Sequence, residues 1–201
     1  IFGGQLHTKV TATDADGRVS VPSVTIEPFL SLNLDIKSSA IHTLEDALAA
    51  FVQPESLEGF VQKGQQVAAS RQTALHRLPP VLVITFKRFT FDSHGIHHGP
   101  QKIGRSIRFN EVLALRPHCL TPNCTFAGAA TSASSRKPPR YKLLAAVSHH
   151  GASLGGGHYT CDIRSQIDGC WRHCDDSKVH KTTLADVLKR QAYVLFYHLD
   201  Q

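Results

Sequence analysis

The sequence predicts an α+β fold in which strands dominate and a few short helices pack on them. Three observations carry this reading. The run LPPVLVITFKRFTF is the strongest strand signal, with Val81 to Phe91 rich in β-branched and aromatic residues and opened by two prolines. Alternation of apolar and polar residues marks further strands, as in PFLSLNLDI. Only two stretches combine a helix N-cap with the apolar spacing of a helix face, so helices are few and short.

Taken in order, residues 11–23 (TATDADGRVSVPS) are polar and turn-rich. Phe29/Leu30, Leu32, Leu34 and Ile36 then alternate with polar residues, as in a half-buried strand. Thr43 precedes Leu44, Ala47, Leu48, Phe51 and Val52, with Asp46 three residues after the threonine, which predicts a capped amphipathic helix stopped near Pro54. Residues 62–77 are polar and ambiguous. After the strand at 81–91, HGIHHGPQKIG reads as a loop, and IRFNEVLAL reads as a strand end followed by a short helix. The Pro-, Ser-, Ala- and Gly-rich stretch at 117–140 predicts a flexible surface insertion, because such residues offset little of their ordering entropy. Strands follow at 141–149, 158–164 and 170–174, then a short helix at 183–190 capped by Thr183, and a last strand, AYVLFYHL.

The bulk numbers bound the function. The 201 residues suit one large domain or part of a bigger one, and 41% hydrophobic with 19% charged content describes a globular chain. No apolar run reaches the length of a membrane span, so no membrane partner is expected. The chain starts at Ile1 and contains no Met, which favours a fragment or processed piece. A net charge of +6 is compatible with nucleic-acid binding, yet the basic residues are scattered and no aromatic-basic motif accompanies them. An RNA-binding reading is therefore disfavoured. Five cysteines without a secretion signal point to reduced thiols and a cytoplasmic or nuclear setting.

The informative stretch is GGHYTCDIRSQIDGCWRHCDD, from residue 156. A histidine after consecutive glycines is accessible, and a carboxylate returning on a neighbouring strand can fix its tautomer, as in nucleophile–His–Asp chemistry. A strand over 158–164 puts His158, Thr160 and Asp162 on one face and Tyr159, Cys161 and Ile163 on the other. A turn at Ile167–Gly169 then returns Asp175 to the level of His158. Cys161 points to the wrong face to act as the nucleophile. Cys170, His173 and Cys174 alternate between faces, which argues against a metal site. His94, His97 and His98 read more simply as a solvated loop than as a metal cluster.

Several blocks together resemble the ubiquitin-specific protease family of cysteine proteases: EPFLSLNLDI, TLEDALAAFVQPESLEG, LPPVLVITFKRF, YKLLAAVSHHG, GGHYTCDI, WRHCDDSKV and AYVLFY, in the family's order. The opening IFGG resembles the ubiquitin carboxyl-terminal hydrolase 10 type within it. The resemblance implies a papain-like fold, here its fingers and palm, and thiol-dependent hydrolysis of the isopeptide bond at ubiquitin's C-terminal glycine. It implies His158 as the base and Asp175 as its orienting carboxylate. Asp176 would polarise a water or support the oxyanion, with a solvated turn residue as the plain alternative. Gly156 and Gly157 would let ubiquitin's tail pass close. Tyr159 and Trp171 would wall its channel, although large aromatics belong to the core by default.

Two departures stand out. The family's Gly-Asn-Thr-Cys segment, which carries the nucleophile, does not occur in this sequence, nor do the two Cys-x-x-Cys pairs that hold structural zinc in many members. The expected partners are ubiquitin, ubiquitinated proteins and the N-terminal remainder of the catalytic domain. No cofactor or metal is expected, and the alternative function is a ubiquitin-binding module without activity.

Overall fold

The computed structural model describes residues 1–91, 100–126, 138–152 and 156–200. In chain order the elements are β1 (Gly4–Thr13), β2 (Ser23–Phe29), β3 (Leu32–Asp35), α1 (Leu44–Phe51), β4 (Glu55–Leu57), the tiny hairpin β5 (Val61–Gln62) and β6 (Gln65–Gln66), β7 (Ala68–Leu78) and β8 (Val81–Lys87). Then come β9 (Phe89–Phe91), β10 (Pro100–Lys102), β11 (Val112–Ala114), a 3-10 turn at Pro117–Cys119, β12 (Leu120–Phe126), β13 (Arg140–His150), β14 (His158–Arg164), β15 (Trp171–Asp175), β16 (Lys178–Thr182), α2 (Leu184–Val187) and β17 (Ala192–Asp200). No helix among the described residues is long and apolar enough to cross a membrane.

Two sheets organise these strands. The larger runs β16-β15-β14-β13-β17-β8-β3, with β11 added against β13, and all its pairings are antiparallel except β3 with β8. The smaller runs β12-β7-β1-β2, with β4 against β7. Both contribute to one core: Phe29, Leu75 and Leu78 from the smaller sheet lie in the same buried cluster as Leu32, Leu34, Leu82, Ile84 and Phe86.

Helix α1 forms as its sequence dictates. The Thr43 hydroxyl accepts from the Asp46 amide at 3.0 Å, and the Asp46 carboxylate accepts from the Thr43 amide at 2.9 Å. Leu44, Ala47 and Leu48 are buried, which places one stripe of the helix in the core.

Several expectations are corrected. The strand expected at Val81–Phe91 breaks at Arg88, whose side chain is buried and donates to the carbonyls of Ala192, Ile103 and Arg105 at 2.7, 3.0 and 2.7 Å. Desolvation, and then the charge of Arg105, lowers this guanidinium to about 10. The short helix expected within IRFNEVLAL does not form. Ile107, Phe109, Leu113 and Leu115 are all buried at odd positions, a period of two that ends in β11 on the edge of β13. The flexible insertion expected at 117–140 is ordered at its start, because Cys119 and Cys124 are buried and β12 pairs in parallel with β7. Residues 127–137, and the histidines at 94, 97 and 98, lie outside the described residues. The turn-rich segment after residue 10 is a β1–β2 hairpin, its turn held by Asp14 Oδ1 accepting from the amides of Asp16 and Arg18. The helix expected at 183–190 is shorter, at Leu184–Val187, with Thr183 as its cap.

Candidate active site

The hairpin of β14 and β15 builds the site. Its turn is closed by the Ser165 amide donating to the Cys170 carbonyl at 2.9 Å and the Gly169 amide donating to the Ser165 carbonyl at 3.0 Å. Gly169 adopts φ +68°, a conformation that favours glycine. Arg172 grips Asp168 with two hydrogen bonds of 3.0 and 2.8 Å, which pins the register. That contact, with further hydrogen bonds from Ser165 and the Cys170 amide, holds the Asp168 carboxyl far below the usual range.

With the register fixed, Cys161 opposes Cys174 and Asp162 opposes His173. His158, the first residue of β14, and Asp175, the last of β15, therefore lie diagonally across the strands on one face. His158 Nε2 is 2.5 Å from Asp175 Oδ1. A carboxylate can only accept, so Nε2 carries the hydrogen and Nδ1 presents its lone pair. The bond from His158 holds the Asp175 carboxyl below its ordinary value, and the charges of His158, His173 and Lys178 add to the effect while desolvation opposes it. The two side chains are nearly half exposed, so the dyad is open to solvent.

The other expected site residues divide. Asp176 sits beside the dyad, with ligand-type atoms of His158, Asp175 and Asp176 all within 4.8 Å of one another. Its φ of +49° shows a turn residue between β15 and β16, a conformation aspartate tolerates better than most side chains. Among the described residues this is the one His/Cys/Asp/Glu cluster at metal-ligand spacing, but His158 Nε2 already donates to Asp175. Tyr159 is 54% exposed on the opposite face of β14, where its ring meets those of His149 and Tyr193. Gly156 and Gly157 lead into β14 on the exposed side. A Cβ at Gly157 would run into the His149 ring and stand 2.6 Å from the His150 carbonyl oxygen, so only glycine fits there. Trp171 is 6% exposed and packed in the hydrophobic core at the far end of β15, which is a core position and not a channel wall.

Sequence reasoning missed His149 and His150. His150 directly opposes His158 in the β13–β14 ladder, and its Nε2 is hydrogen-bonded to Thr160 at 2.8 Å. His149 opposes Tyr159 and is 5% exposed, edge-on to Phe89. Desolvation, then the charges of Lys102 and His150, lowers the His149 imidazole. Lys102 donates to the carbonyls of His149 and Gly151 at 2.7 and 2.8 Å and so fixes the end of β13. The signal was the pair SHHG at the end of an apolar strand, directly before the glycine loop.

A histidine held by a carboxylate across two antiparallel strands is an imidazole with a fixed tautomer and one free nitrogen, an arrangement able to accept a proton. The model of the ubiquitin carboxyl-terminal hydrolase family matches residues 1–197, and the chain belongs to that family. It is 36% identical over 201 residues to ubiquitin hydrolase B of Dictyostelium discoideum. It is 38% identical to ubiquitin carboxyl-terminal hydrolase 44-A and 37% identical to hydrolase 10-A, both of Xenopus laevis. The match covers 98–99% of this chain but only 40%, 28% and 24% of those relatives. Among solved structures, the SAGA DUB module with Ubp8 bound to monoubiquitin superposes with a TM-score of 0.78 at 30% identity, over 100% of this chain and 41% of that one. The module bound to ubiquitin aldehyde gives 0.77 over 42% of its chain. The fold is that of the ubiquitin-specific proteases, as the sequence blocks implied.

Proposed function

We propose that this chain carries the base and orienting carboxylate of a thiol-dependent ubiquitin hydrolase that cleaves the isopeptide bond at ubiquitin's C-terminal glycine. The single observation that carries the reading is the 2.5 Å contact between His158 Nε2 and Asp175 Oδ1. It leaves Nδ1 to take a thiol proton and later return it to the leaving lysine amine. The thiolate then attacks the glycine carbonyl, and water releases the thioester. Asp175 supports the imidazolium that forms between these steps.

The nucleophile comes from a segment other than those described. Cys161 and Cys174 are on the sheet face away from His158, Cys119 and Cys124 are buried in the core, and Cys170 is at the hairpin turn. The partners in this reading are ubiquitin, ubiquitinated proteins and the cysteine-bearing remainder of the domain.

The test supplies that remainder, in cis or as a second chain, and follows a fluorogenic ubiquitin substrate. Cleavage is expected only with both parts present. His158→Ala should lower it by about 10²–10⁴-fold, while Cys161→Ala leaves it nearly intact. Turnover by the 201-residue chain alone, abolished by Cys161→Ala or Cys174→Ala, would sink the assignment.

A further inference from the structure

Cys161 in β14 and Cys174 in β15 directly oppose each other in the antiparallel register. The kind of pair follows from the turn. The Ser165 amide donates to the Cys170 carbonyl, one of the two bonds of a hydrogen-bonded pair, while at this turn end the Cys170 amide donates to Asp168 Oδ1 instead. That one bond still sets which pairs of the ladder are hydrogen-bonded. Such pairs recur at every second residue, which brings the series to Cys161 and Cys174. Opposed residues of this type have Cα atoms about 5.5 Å apart, inside the span a disulfide bridges. Both thiols are free and half-buried. They share the sheet face that points away from His158 and Asp175. Cys170 faces Ser165 instead, and Cys119 and Cys124 lie buried in the core.

We propose that Cys161 and Cys174 form a reversible cross-strand disulfide, a redox site on the two strands that carry the His158–Asp175 dyad. The oxidant is a peroxide. The Cys174 thiolate attacks one peroxide oxygen, the O–O bond breaks, and Cys174 becomes a sulfenic acid as hydroxide leaves and takes a proton. The Cys161 sulfur then attacks the sulfenic sulfur, the S–O bond breaks, and a second water leaves with the Cys161 proton. Two thiols and one hydrogen peroxide thus give one disulfide and two waters, with two electrons passing from sulfur to oxygen. The order of attack follows from environment. Desolvation, then the facing Cys174 and Asp162, pushes the Cys161 thiol up, which makes it the poorer first nucleophile. It still closes the bond well, because the opposed strands hold it in place.

The bond is strained. Opposed Cβ atoms in an antiparallel pair lie about 4.5–5.5 Å apart, whereas a disulfide holds them near 3.8 Å. Closure draws β14 and β15 together beside Asp175, which directly follows Cys174, and the strain makes the bond readily reducible by thiols. Oxidation should therefore displace the dyad. This consequence rests on the function proposed above, whereas the disulfide itself does not.

The experiment has two arms. In the first, the chain is treated with stoichiometric hydrogen peroxide, blocked with an alkylating agent and mapped by non-reducing peptide mass spectrometry. The five alkylatable thiols should fall to three, with one linked peptide pair carrying Cys161 and Cys174, and dithiothreitol should restore all five. Cys161→Ser and Cys174→Ala should each abolish the link, while Cys170→Ser should leave it. Retention of five thiols, a link through Cys170, or sulfinic acid on Cys174 beside a free Cys161 would overturn the site. In the second arm, the His158 imidazole resonances are compared before and after oxidation. A shift reversed by dithiothreitol supports the coupling, and unmoved resonances with the disulfide formed would overturn it. Neither arm reads ubiquitin hydrolysis, so failure of the redox site is distinguishable from failure of the proposed function.

Discussion

His158 and Asp175 define an ion-pair-like contact whose pH response has a determined sign. The Asp175 carboxyl is lowered, first by the hydrogen bond from His158 and then by the charges of His158, His173 and Lys178. A group lowered on folding contributes stability that is fully present above its unfolded value, about 3.9, and is lost as pH falls through the folded value. The dyad should thus stay intact from neutral pH down to the acid side of the ordinary carboxylate range. A carbon-detected titration of the Asp175 carboxyl should show a midpoint below that of Asp175 in the His158→Ala variant. Equal midpoints in the two proteins would show that the contact carries no such weight. The dyad itself was legible, because glycines before a histidine and a strand–turn–strand return to an acid are local patterns. His149 and His150 were not read, because the local signal, SHHG at the end of an apolar strand, does not say which strand they face. Their importance comes from the strand they oppose.

Elements follow the same division between local and non-local causes. The start of helix α1 was readable to the residue, since Thr43, Asp46 and the stripe of Leu44, Ala47 and Leu48 all lie within one turn or two of each other, while its end falls at Phe51, short of Pro54. The cap can be tested. Thr43→Ala should cost about 1 kcal/mol in urea denaturation, and Thr43→Ser should recover most of it. An unchanged midpoint for the alanine variant would mean that tertiary packing alone sets this helix end. The alternation of Leu32, Leu34 and Ile36, all buried, was readable, but the single strand expected from Phe29 to Ile36 is divided: Phe29 ends β2, Leu30 is exposed and β3 spans Leu32–Asp35. Strand β7 was not readable, because AASRQTALHRL buries only Leu75 and Leu78 and is stabilised by pairing with β1, β4 and β12. Such ladders have no local signature. Strand β16, KVHKT, is exposed or half-exposed along its length and is held by pairing with β15 alone. The Ile107–Leu115 error was of another kind: the period of two was present in the sequence, and the helix-forming run EVLAL obscured it.

At the scale of the whole molecule, the two sheets share one buried cluster, and this predicts one cooperative unfolding unit. Leu75 and Leu78 of β7 belong to the smaller sheet, yet they lie in the same core as Leu82, Ile84 and Trp171 of the larger. Trp171 is the only tryptophan and is buried, so its fluorescence reports the larger sheet alone. Leu78 is fully buried, and Leu78→Ala should destabilise by about 2–5 kcal/mol through lost contacts and the cavity left behind. If the core is shared, that loss should appear in full in the Trp171 transition, although the mutated residue is in the other sheet. Far-ultraviolet circular dichroism and Trp171 fluorescence should then give coincident urea curves in both proteins. A Leu78→Ala protein whose circular dichroism melts early while its Trp171 transition stays at the wild-type midpoint would show instead that the smaller sheet folds on its own. In that case its strands could not help hold β8 and β17, and the support beneath the His158–Asp175 hairpin would come from the larger sheet alone.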